Sequence, residues 1–209
     1  MRFTFRCLDA ATDAALVHSW VTRPYASFWG MLSATVEDVA REYAKIQSSG
    51  HHHALLGLDR GIPAFLMEEY QPAASPLAAV YPVLPADVGM HLLVAPPSDG
   101  PEPGYTAAVM DAVLARLFSA PGVERIVVEP DARNTKIHAL NERLGFQPAG
   151  VVALPDKEAL LSFCLQSDYL AARTALQART ALQATTALQA ANALQATPSR
   201  PRISQGASL

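Results

Sequence analysis

The chain has 209 residues, half of them hydrophobic, which is enough apolar material for one buried core of roughly 150 to 170 residues. All 19 acidic residues fall before position 170 while Arg173, Arg179, Arg200 and Arg202 follow it, so the globular part is acidic and lacks the basic face a nucleic-acid binder needs. No apolar run reaches the ~18 residues of a membrane span, the start MRFTFRCLDA lacks a signal-peptide plan, and two distant cysteines suit a reducing, cytoplasmic setting without disulfide or zinc site.

Strict alternation of Phe3, Phe5 and Cys7 predicts a first strand over 2–8, and Thr12 to Trp20 reads as a helix. Pro24 and Gly30 then break a loop crowded with Tyr25, Phe28 and Trp29, which serve as core-edge packing or as a substrate wall. Thr35 with Asp38 forms a capping box for a helix carrying Val36, Val39, Tyr43 and Ile46 at helical spacing. His51, His52 and His53 come next; three consecutive imidazoles on a strand cannot face one metal, because neighbouring side chains point to opposite faces. Residues 54–58 and 62–70 flank the turn Asp59-Arg60-Gly61 as a hairpin. Its second strand carries Glu68 and Glu69 on opposite faces, and one of them is expected to look into whatever the sheet encloses.

A proline- and alanine-rich loop over 72–85 leads to the strand DVGMHLLV, 87–94, in which His91 sits among apolar residues. A loop with Gly100 and Gly104 then opens a helix through Val109, Val113, Leu114 and Leu117. The stretch VERIVVEPDARNTKIHALNERLGF, 123–146, follows: a buried strand halted at Pro130, the acid Asp131, Asn134 as N-cap, a helix, and Gly145 as its C′ residue. The order strand, loop, helix, strand, acid, helix puts two parallel strands side by side with their C-terminal ends at a helix N-terminus, which favours an anionic ligand. Two further strand-like runs, 147–154 and 159–165, flank a turn with Lys157. From Thr174 the repeats TALQAR, TALQAT, TALQAA and NALQAT place successive leucines 120° apart on a helix, so they build no coiled-coil stripe; residues 169–209 are expected to be a helical or disordered tail.

The segments SFWGM, FLMEEY, DVGMHLLV, VVEPDARNTKIHALNERLGF and LPDKEALLSF, in this order over residues 1–168, resemble the GNAT superfamily of acyl-CoA-dependent N-acyltransferases, and most closely its siderophore-biosynthesis branch. The resemblance implies an α/β (α+β) fold with a mixed sheet of six to seven strands splayed between strands 4 and 5, and helices on both faces. It implies His91 and Asp131 as a catalytic pair. Acyl-CoA (acetyl-, succinyl- or longer) would bind in the splay, with Gly104, Tyr105 and Thr106 near its pyrophosphate and Asn134 near its pantetheine arm. The chain departs from the superfamily where Pro101 and Pro103 enter the phosphate loop, and where Asn141 stands in place of a tyrosine that protonates the leaving thiolate.

The expected reaction is attack of an acceptor nitrogen on a thioester carbonyl, forming a hydroxamate for iron acquisition. His91 would be the base, amides around Leu93 and Val94 the oxyanion donors, and Trp29, Glu68 and Lys157 the groups that hold the acceptor. The acceptor implied is N6-hydroxylysine or N-hydroxycadaverine, with no metal, no nucleic acid, no membrane, and association with other enzymes of the siderophore pathway. Two further readings stand beside this one: a GNAT enzyme for an ordinary amine or protein lysine, and a non-catalytic acyl-CoA binder using its tail as an interaction arm.

Overall fold

The computed structural model describes residues 2–97, 100–178 and 185. Among the described residues, seven strands form one sheet: β1 (Phe3–Cys7), β2 (His52–Asp59), β3 (Ile62–Tyr70), β4 (Asp87–Val94), β5 (Arg125–Val128), β6 (Gln147–Ala153) and β7 (Glu158–Leu165). Their spatial order is β1-β2-β3-β4-β5-β7-β6. Four α-helices connect them: α1 (Ala14–Val21), α2 (Val36–Ser48), α3 (Tyr105–Phe118) and α4 (Thr135–Arg143). Neighbours pair antiparallel except β4 and β5, which α3 joins as a parallel crossover.

The parallel pair is the feature that makes a site. Asp87, Val88 and Gly89 align with Arg125, Ile126 and Val127, and there the pairing ends although β4 continues to Val94. Beyond Gly89 the side of β4 that faces β5 has backbone groups without a sheet partner among the described residues, and these are open to a ligand or water. On β4's other side the ladder with β3 is complete from Gly89 to Val94 and sets Glu68 opposite His91.

The period-2 pattern of β3 decides what each face of the sheet receives. Leu66 joins Leu56, Leu93 and the buried residues of α1 and α2, among them Val17, Trp20, Val39, Tyr43 and Ile46. Glu68 shares that face. Glu69 points the other way and pairs with Arg116 of α3 at 2.8 Å, beside the ring cluster of Phe3, Phe5 and Phe65. The expected capping box of α2 is present, with Asp38 N donating to Thr35 Oγ1 and Thr35 N to the Asp38 carboxylate. Helix α4 ends as Gly145 predicts: its φ of 99° lets Gly145 N reach the Glu142 carbonyl and Phe146 N the Asn141 carbonyl.

Some local expectations change. Cys7 is exposed, and Leu8 takes the buried position at the end of β1. Asn134 occupies the N-cap of α4 without a side-chain capping bond. The loop after β3 folds into 3-10 turns at Pro72–Ala74 and Pro76–Ala79 and is anchored by buried Leu77, which packs with Tyr70, Val127 and Leu161. The chain divides into compact units after Ala172, past the expected end at 168, since Tyr169 is buried and stacks on Phe118. Residues 173–178 of the second unit are helical; the repeats beyond, apart from residue 185, lie outside the described residues.

Candidate active site

The splay between β4 and β5 opens into a cavity of about 680 Å³. Leu92, Leu93, Val128, Asn134, Ile137 and Asn141 line it together with residues of the 3-10 segment Pro24–Trp29 and of α2. A second chamber of about 310 Å³, beneath the Pro72–Ala79 segment, shares His52, His91, Glu129, Asp156 and Lys157 with the first. His91 therefore stands between two chambers. Its side chain is 36% exposed, so a ligand in the cavity can touch it.

Both ring nitrogens of His91 face carboxylates. Nδ1 lies 2.9 Å from Glu68 Oε2 and Nε2 lies 2.6 Å from Glu129 Oε1. Neutral imidazole has one N–H, and its bare nitrogen would repel a carboxylate; with Glu68 and Glu129 both held ionised, the two contacts call for N–H on both sides, which is the imidazolium. Burial alone would lower the pKa of His91, yet the charges and hydrogen bonds of Glu129 and Glu68 raise it to about 10.

The two glutamates are held differently. Glu68 accepts from the Tyr43 hydroxyl at 3.0 Å, from His52 Nε2 at 3.2 Å and from His91. Burial would push its pKa up, but these donors bring it down to about 2. Glu129 Oε2 accepts from the Tyr70 hydroxyl at 2.8 Å; Oε1 meets His91, with Lys157 Nζ at 3.8 Å. Its pKa is also lowered, burial being outweighed by the charge of His91. Tyr70 reaches Glu129 because its ring lies flat over Gly89, where a Cβ would stand 2.2 Å from the ring. Trp29 completes the wall, its ring edge-on to His91 at 6.2 Å and its indole N–H 3.3 Å from the Tyr43 hydroxyl.

Of the expected site residues, His91, Asp131, Trp29, Glu68, Lys157, Leu93 and Asn134 line the cavity together. The expected pairing of His91 with Asp131 is corrected. Asp131 Oδ1 and Oδ2 accept from the Arg133 guanidinium at 2.8 and 2.7 Å, which holds its pKa well below the carboxylate range, and the partner of His91 at the end of β5 is Glu129. Val94, Gly104, Tyr105 and Thr106 are not part of the cavity lining. Gly104 does start α3 with φ 80°, but Tyr105 N donates to the Glu102 carbonyl and the Glu102 carboxylate pairs with Arg2.

Glu129, His52, Tyr43 and Tyr70 escaped the sequence reading. Glu129 alternates with Val127, which points to a shared face; nothing in the three-histidine run singles out His52. The atoms His52 Nε2, Glu68 Oε2 and His91 Nδ1 lie within 4.8 Å of one another. They already satisfy each other as donors and acceptor, whereas a metal needs lone pairs from both imidazoles. Asn141, buried in the cavity wall, has an Oδ1 without a hydrogen-bond partner among the described residues, so a ligand donor finds an acceptor there.

A family model described as an acetyltransferase (GNAT) domain matches residues 9–154. The N-hydroxyputrescine acetyltransferase of Acinetobacter baumannii (strain ATCC 17978) is 23% identical over 167 residues, 80% of this chain and 79% of that protein. Lysine N-acyltransferase MbtK of Mycobacterium sp. (strain MCS) is 27% identical over 146 residues, 68% of this chain and 59% of that protein. Among solved structures, aminoglycoside acetyltransferase AAC(6')-Ib in complex with coenzyme A superposes with a TM-score of 0.72 at 22% identity, covering 82% of this chain and 99% of that one. The interrupted β4–β5 ladder, the cavity at its opening and the match over residues 9–154 lead to one conclusion: the chain belongs to the GNAT acetyltransferase family and is an acyl-CoA-dependent N-acyltransferase.

Proposed function

We propose that the enzyme transfers an acyl group (acetyl, succinyl or longer) from acyl-CoA to the hydroxylated nitrogen of a small amine, N6-hydroxylysine or an N-hydroxydiamine such as N-hydroxycadaverine, and so makes a hydroxamate for siderophore assembly. The observation that carries this reading is the acidic cavity: Asp38, Glu42, Glu68, Glu129, Asp131 and Asp156 line it against Arg41, Lys157 and the His91 imidazolium, so acids outnumber cations in a setting for a cationic acceptor. The two relatives, named for N-hydroxyputrescine and for lysine, support the same acceptor class.

The chemistry follows from the acceptor. An N-hydroxyamine is less basic than an alkylamine, so more of it is neutral and nucleophilic at pH 7, and the protein's main tasks are orientation and charge stabilisation. Trp29 and Glu68 border the space for the acceptor, Lys157 stands over Glu129, and free amides of β4 past Gly89 are the donors for the thioester oxyanion. Asn134 and Leu93 border the acyl-CoA arm. We assign catalysis to the unit before the repeats and place the enzyme in the cytoplasm, where its free Cys7 and Cys164 remain reduced.

The test is thiol release from acetyl-, succinyl- and longer acyl-CoA with N6-hydroxylysine, N-hydroxycadaverine and their unhydroxylated parents. Turnover at least tenfold faster with the hydroxylated acceptors supports the proposal. Turnover confined to the parents, or binding of acyl-CoA with no acylation of any amine, overturns it.

A further inference from the structure

We propose that Glu129 and His91 act as an acid–base couple in which Glu129 receives the proton of the attacking nitrogen and His91 supplies the proton of the departing sulfur. This assigns the general acid that Asn141 cannot be, since a carboxamide has no proton to give at neutral pH. It rests on the acyl-transfer reading above.

The geometry makes the division. Each ring nitrogen of His91 faces an ionised carboxylate, at 2.9 and 2.6 Å, so each carries its hydrogen and no lone pair is left for a substrate. His91 is therefore a proton donor. Of its two carboxylate partners, Glu68 is fixed by Tyr43, His52 and His91 and has no vacant role. Glu129 is anchored by Tyr70 through Oε2 only, while Oε1 is shared by His91 at 2.6 Å and Lys157 at 3.8 Å. An incoming N–H can take the place of the His91 contact at Oε1, which turns the Nε2 hydrogen loose towards the cavity. Trp29, edge-on to the ring, adds no titratable group.

The step balances. The nitrogen lone pair forms the C–N bond, the C–S bond breaks and its electron pair leaves on sulfur. The surplus proton on nitrogen passes to Glu129 Oε1, and the Nε2 proton of His91 passes to sulfur, giving the free thiol. Glu129 then returns its proton to Nε2 and the starting charges are restored. The two transfers assist each other, since Glu129 is a weak base only while His91 is positive.

Three measurements test this. Imidazole ¹⁵N spectra of the free protein at pH 7.5 should show His91 with both nitrogens protonated, and Glu129→Gln should lower its midpoint; a neutral ring at pH 7.5 overturns the proposal. Glu129→Gln, shown folded by thermal melting, should lower kcat about 100-fold with the KM for acyl-CoA unchanged; full kcat overturns it. His91→Gln should lose about 100-fold on acyl-CoA but under tenfold on an aryl thioester, whose thiolate departs without a proton. Equal losses on both donors overturn the acid role. If wild-type protein acylates no amine at all, the acyl-transfer reading fails, and the ¹⁵N result still reports on the couple itself.

Discussion

Glu129 and Asp131 sit two residues apart at the same strand exit, and both are buried acids lining one cavity, yet they have opposite partners. Glu129 turns inward to His91 and Tyr70. Asp131 is occupied by Arg133, whose side chain is 80% exposed and lies over the Phe28 ring at the rim. Backbone pairing explains the difference in part: residues 130 and 132 bond to the start of β7, fixing Asp131 in an isolated bridge with Ala159 beside the helix entry. A carboxylate's role at such a junction is set by which donor reaches it first, and here one acid faces the imidazole while the other ties the loop to the surface.

Removing each charge in turn separates the two acids most strongly. Glu129→Gln is expected to cost about 100-fold in kcat and Asp131→Asn less than tenfold, measured side by side with one acceptor; an equal or larger loss at Asp131 would reverse the assignment. Glu68→Gln comes next. Both imidazoles share Oε2 and Tyr43 holds Oε1, so the amide must turn its N–H₂ either to the two rings or to the phenol, and stability should fall by ~1–3 kcal/mol, read as a fall in melting temperature. Glu129→Gln should show a similar loss, while Asp131→Asn, with its partner largely exposed, should show less.

Stability against pH separates the buried groups by their charge. His91 has a folded pKa raised from 6.5 to about 10, so its contribution is complete below pH 6.5 and is lost as pH climbs towards 10. Glu68, lowered from 4.5 to about 2, contributes above pH 4.5 and loses that contribution as pH falls towards 2. His91→Gln should flatten the alkaline limb of melting temperature against pH. The smallest effect is expected from Arg133→Ala, which frees Asp131 at the rim: a change in kcat/KM of no more than about threefold, checked by initial rates.

Much of this fold was legible because its signals are local. The Thr35–Asp38 box, the Arg60-Gly61 turn and Gly145 each state their conformation in the residues themselves, and the opposite facing of Glu68 and Glu69 follows from the pleat. The order of motifs then brought His91 and the end of β5 to one cavity. What could not be read was which acid on that exit meets the imidazole, because it depends on where β5 stops pairing with β4 and where β7 takes over. His52 was hidden for a similar reason: its place opposite Tyr70 is a matter of strand register, which three identical neighbours do not disclose. Tyr43 reads as one more apolar position of α2, and only its hydroxyl, 3.0 Å from Glu68, gives it a polar task.

Gly89 stands at the last position of β4 that pairs with β5, under the ring of Tyr70. Its missing side chain lets a phenol slide across the strand and hold one oxygen of Glu129 in place, leaving the other oxygen to answer to His91. A single methyl group there would tilt the phenol away, and the enzyme would lose its sense of which carboxylate oxygen is reserved for structure and which is free for exchange. In the proposed couple, the point where the sheet comes apart is also the point that directs the proton, through an atom that the sequence leaves out.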